Sequence, residues 1–231
     1  MFCKPIVGSV AGIALAAGSA NAAVYFTFAD PSTELEVRGE TPALGGTGDL
    51  TYGEATITRP TIRFTVDATE EGGSITTFDA YLVWDLEFGP ATVTGMTTTA
   101  TVIGTFEFRE EGTDDVILSG DVGEGYLFTM IGVGTVLTDI SGGLNYEVGP
   151  ALTAADPVVT DLQGEFDGVY TLTRLQFENN VPTFQGQDGQ TYYSSFSANA
   201  AFTGTAERIP APGAVVLSVL ALGFAGFSRR R

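Results

Sequence analysis

Carboxylates are the only abundant groups in this chain that could carry acid–base chemistry. It holds 28 Asp and Glu, one Cys and no His. Without His it has no Ser-His-Asp triad, no Cys-His dyad and no His-ligated metal. Two carboxylates can cleave a glycosidic bond when they flank it at roughly 5–9 Å. Asp79, Asp85 and Glu87 are the candidates, and Asp85 and Glu87, two residues apart, share one face of a strand. The wet side of any one-sided sheet carries the same polar alternation. The expectation is therefore no catalytic residue and no enzyme. A carboxylate-dependent glycan-active enzyme is kept as an alternative.

Clustered acids can also hold Ca²⁺, which wants six to eight oxygens. Asp114-Asp115, Asp121 with Glu124, Asp161 with Glu165 and Asp167, and Asp188 are the places to look. None has the spacing of a twelve-residue calcium loop, and none carries the glycine-rich calcium repeat. No cofactor is expected; weak calcium binding stays open, and the metal ligands are unassigned. Among the aromatics, Trp84 falls on the apolar face with Phe78 and Phe88 and reads as core. Tyr193 points to the opposite side from Tyr192 and is the candidate for stacking on a sugar ring, which leaves a carbohydrate-binding module as the second alternative.

The elements that would hold these residues are strands. Phe78, Ala80, Leu82, Trp84, Leu86 and Phe88 alternate with Asp79, Tyr81, Val83, Asp85 and Glu87. The period is two, not 3.6. Ile62, Phe64 and Val66 alternate in the same way, as do Val102, Phe106 and Phe108, and Tyr192, Phe196, Ala198, Ala200 and Phe202. Further strands are predicted over 24–28, 34–38, 49–58, 91–99, 115–119, 125–131, 133–139 and 169–178. Gly-Gly, Gly-Pro, Asn-Asn and Asp-Gly pairs punctuate the runs, Gly89-Pro90, Gly149-Pro150 and Asn179-Asn180 among them. No amphipathic helix is predicted between 23 and 208, and 145–165 reads as a long loop. The fold class is all-β, an antiparallel β-sandwich or jelly roll, with a closed barrel as the next choice.

Both ends read as targeting segments rather than fold. Residues 1–22 carry one charge, Lys4, then an apolar run from Ile6 to Gly18, then Ala20-Asn21-Ala22. That order is a signal peptide with cleavage after Ala22. The one Cys, Cys3, leaves with it. At the other end, Pro210-Ala211-Pro212 is followed by an uncharged stretch, 213–227, and by Arg229, Arg230 and Arg231. As a helix the stretch would be about 22 Å long, against a hydrocarbon core of about 30 Å. The Arg cluster would stay on the cytoplasmic side, with the body outside the membrane.

The tail, residues 209–231, resembles the PEP-CTERM sorting signal of Gram-negative bacteria, with Ala211 where that signal has Glu. The resemblance implies a precursor held transiently at the inner membrane and a membrane sorting protease, an exosortase, as partner. The product would be delivered to the cell surface or the exopolysaccharide matrix. Between the ends lies one domain, 23–208. Six Arg against all 28 acids leave it at −22, compared with −18 for the whole chain. A body this acidic has no electrostatic footprint for nucleic acid. An exported, non-enzymatic protein with a structural or adhesive role, and extracellular polysaccharide as its potential partner, is the expectation that results.

Overall fold

The computed structural model describes residues 23–29, 35–53, 60–130, 133–137, 144–159 and 167–207. The predicted signal peptide, with Ala20 and Ala22, lies outside them. So does the tail, with Pro210, Ala211, Pro212, Arg229, Arg230 and Arg231. Among the described residues no helix is long and apolar enough to cross a membrane.

The chain is all-β. In order the strands are β1 (Ala23–Ala29), β2 (Val37–Glu40), β3 (Gly48–Tyr52), β4 (Ile62–Asp67), β5 (Ile75–Thr94), β6 (Thr97–Glu110), β7 (Val116–Met130), β8 (Val133–Leu137) and β9 (Leu144–Val148). A short helix α1 (Pro150–Ala155) follows, then β10 (Asp167–Phe177), β11 (Thr183–Gln185), β12 (Thr191–Tyr193) and β13 (Phe196–Glu207). All pairings are antiparallel. Two long strands each serve two partners on one edge. β13 offers 201–207 to β1 and 196–198 to β2, while β5 offers 75–80 to β4 and 86–88 to β3. Followed from β13 through β1, β4, β5, β6, β7, β8 and β10, the pairs return to β13. The result is an antiparallel sandwich whose hydrogen-bonded circuit is closed, so each strand of the circuit has a partner along part of both of its edges.

The period-two faces are the core. Even residues from Phe78 to Phe88 on β5 are all buried, with Asp79, Asp85 and Glu87 on the wet side. Ile62, Phe64, Val66, Val102, Phe106 and Phe108 are buried as well. Rings from β4, β5 and β6 meet rings from β1, β10 and β13. Phe64 stacks on Phe108 at 4.1 Å, Tyr170 packs at a tilt against Phe202 at 4.6 Å, and Trp84 stands edge-on to Tyr170 at 4.7 Å. Each such ring stabilises the fold by about 1.5–3 kcal/mol through its burial.

Three sequence readings need correction. Gly89-Pro90 is not a turn. β5 runs through it with a shift of register between Phe88 and Ala91, a bulge that accommodates the missing Pro90 amide. The actual hairpin turn is Gly95-Met96, where Gly95 has φ 64°, the left-handed backbone that such tight turns need at their first central position. Likewise 115–119 and 125–131 are one strand, β7. Its buried set moves from Leu118, Gly120 and Val122 to Gly125, Leu127 and Thr129 across a bulge at Gly123-Glu124. The expected loop over 145–165 contains β9 and α1, the latter begun by Gly149-Pro150 with Pro at the first helical turn. At six residues α1 is too short to show a period.

Candidate functional site

The predicted acids are dispersed over the surface. Asp79, Asp85 and Glu87 are exposed on the outer face of β5. Asp85 and Glu87 border a shallow depression of about 260 Å³ with Ile103, Gly104 and Thr105. Asp114 lies 3.8 Å from Arg109, which donates from Nε to Glu107 at 2.7 Å. Asp188 folds back on its own turn, accepting from Gln190 N at 2.9 Å and from the Tyr192 hydroxyl at 2.5 Å, and these bonds hold its carboxyl below the usual range. Asp121 stands in a cleft of about 500 Å³ with Glu107, Ser119 and Glu147. Glu124, across the β7 bulge, is exposed like Asp121. Among the described residues no three acids come together as a metal site. Asp161 and Glu165 lie outside the described residues.

Tyr193 is not a surface ligand residue. It is fully buried, and its hydroxyl donates to Thr98 O at 2.6 Å and lies 3.1 Å from Thr129 Oγ1. Burial pushes its phenol up to about 12. The cause of the misreading is local. β12 ends at Tyr193 and β13 starts at Phe196, so alternation from Tyr192 into β13 is interrupted. β12 pairs with β11 in a small separate sheet, and both tyrosines are buried. Trp84 is core, as its face predicted.

Tyr193 instead lies beneath a surface of adjoining clefts. Its ring is parallel to Phe177 at 6.3 Å. Phe177 ends β10 and lines two clefts, of about 490 Å³ and 330 Å³. A third, about 290 Å³, shares Thr41, Glu178 and Ser195 with the first. The turn between them is Glu178–Asn180, where Asn179 and Asn180 both hold left-handed backbone, φ 56° and 55°. Such backbone costs energy that surrounding structure must offset, and Asn tolerates it better than most residues.

The 490 Å³ groove is built by strand register. A bulge in β10 at Arg174-Leu175, with Arg174 at φ 55°, sets Gln176 opposite Ser197, and Ser197 lies opposite Arg38. Gln176, Ser197 and Arg38 thus form a row across three strands. Arg38 donates from Nη1 to Ser197 Oγ at 2.9 Å. One step on, Ser195 accepts from Glu178 N through its carbonyl at 2.8 Å and from Thr41 N through its hydroxyl at 3.3 Å. Glu40 and Glu178 line the same groove. Thr41 Oγ1 is buried at its wall with no protein partner among the described residues. Arg38 makes no ion pair among the described residues, although acids outnumber arginines heavily.

No family model, no curated protein and no solved structure matches this chain. The chemistry of the groove therefore rests on its own residues. It mixes donors and acceptors, whereas the charged groups of the cleft around Asp121 are all acids. In the sequence, alternation puts Ser195 and Ser197 on the wet side of a strand, and no motif marks Arg38 or Gln176. Arg38 and Ser197 are 159 positions apart, and pairing alone joins them. The usable signal was the rarity of Arg in the body.

Proposed function

We propose that the protein is exported and non-enzymatic, and that its PEP-CTERM-like tail sorts it to the cell surface or the extracellular polysaccharide matrix. There the β-sandwich body acts as a structural or adhesive element. An exosortase-type protease would process the precursor while the tail holds it at the inner membrane. The observation that carries this reading is the order of parts: a signal peptide ending at Ala22, one all-β body, then Pro210-Ala211-Pro212, an apolar stretch and Arg229 to Arg231. The body supports it. Its candidate catalytic acids stand exposed on the outer face of β5, while mixed hydrogen-bonding groups gather in one open groove.

The test is truncation before Pro210 in the producing cell. The shortened protein should leave the envelope or matrix fraction for the soluble one, while the full chain stays. Identical fractionation of the two forms would overturn the sorting role.

A further inference from the structure

We infer that the groove at the β2–β13–β10 end is a binding site for a neutral saccharide. The inference rests on the exported, adhesive reading above and names what the body would adhere to. A pyranose presents adjacent hydroxyls, each able to donate and to accept, around a partly apolar ring. The groove offers the complement. Arg38 donates only, Glu40 and Glu178 accept only, and Gln176 and Ser197 do both. Ser197 already accepts from Arg38 at 2.9 Å, so its own proton is available to the groove. Arg38 spends no charge on a carboxylate among the described residues, which leaves the rest of its fork for a ligand. Phe177, half-buried and packed against the core, adds an apolar edge to the lining.

Charge selects the class. One guanidinium faces two carboxylates in the groove, in a body at −22 from six Arg and 28 acids. A polyuronate would be repelled by that field, whereas a neutral chain is indifferent to it. The groove lies on the outer face of the sheet, where Arg38, Gln176 and Ser197 stand in a row across three strands.

The experiment uses the full chain in mild detergent on immobilised cellohexaose, mannohexaose and hexagalacturonate. At least one neutral probe should bind. Arg38→Ala and Gln176→Ala should each weaken that binding by roughly tenfold. Asp121→Asn, in the other cleft, should leave it unchanged. Gln176 is exposed and makes no side-chain bond among the described residues, so its variant keeps the test valid if Arg38→Ala melts early. Binding of hexagalacturonate alone, no binding of either neutral probe, or neutral binding untouched by both groove variants would each overturn the inference. None of these results alters the fractionation of the truncated chain, so the saccharide site and the sorting role fail separately.

Discussion

Single residues carry more of the stability here than their solvent-facing neighbours suggest. Tyr193 joins β12 to β6 and β7 through Thr98 O and Thr129. Tyr193→Phe removes this buried hydroxyl bond and should cost about 0.5–1.5 kcal/mol. Tyr193→Ala also removes the ring beneath Phe177 and should cost about 3–5 kcal/mol, read as a lower midpoint in urea. Its phenol, held up to about 12, also makes stability fall with pH. Above the ordinary Tyr value of about 10 the unfolded chain loses that proton more readily than the folded one, so the loss begins there. Tyr193→Phe should remove part of that alkaline loss. A Tyr193→Ala protein as stable as the parent would contradict the burial.

Asp156 is a second such residue, and no motif singles it out. Its buried carboxylate accepts from Ser74 N at 2.7 Å, from Ser74 Oγ at 3.1 Å and from Val158 N at 3.1 Å, tying the segment after α1 to the start of β5. The Ser74 amide foremost holds its carboxyl below the usual value, against the opposing effect of burial. A lowered folded value means the stabilisation is complete above the unfolded value of about 3.9 and is lost as pH falls through the folded one. Thermal melts from neutral pH to about pH 3 should show a steeper decline for the parent than for Asp156→Asn. Parallel declines would remove Asp156 from the account.

At the scale of elements, period two was enough to place most strands, because each had one buried face. The pattern failed where a bulge reset it. Phe88 and Ala91 are both buried across Pro90, and Val122 and Gly125 across Gly123-Glu124, so one strand reads as two. Tyr192-Tyr193 failed for the related reason that β12 and β13 do not share a phase. The groove was illegible because its row of side chains exists only once β2, β13 and β10 pair. One glycine fixes the β5–β6 pairing. Gly104 sits opposite Leu86 at φ 132°, and a Cβ there would lie 2.1 Å from Asp85 O. Gly104→Ala must push β5 and β6 apart. It should cost upward of about 2 kcal/mol, or roughly 4–8 °C in Tm for a domain of this size. A melt unchanged by Gly104→Ala would contradict this register.

The whole molecule combines a closed, well-packed body with charge that keeps it from its own kind. Among the described residues the circuit gives each of its strands a partner along part of both edges, and the outer faces carry Asp, Glu and Thr. A net charge of −18 on the chain favours solubility and disfavours self-association. Those properties suit a protein that persists outside a cell, and the residues at its two ends are the ones that would take it there. The most direct measurement is the intact mass of the protein recovered from the surface or matrix fraction of its own cells. The account predicts a chain that begins at Ala23 and lacks the segment beyond Pro212. A surface-fraction chain that retains residues 1–22, or that still ends in Arg229-Arg230-Arg231, would contradict it.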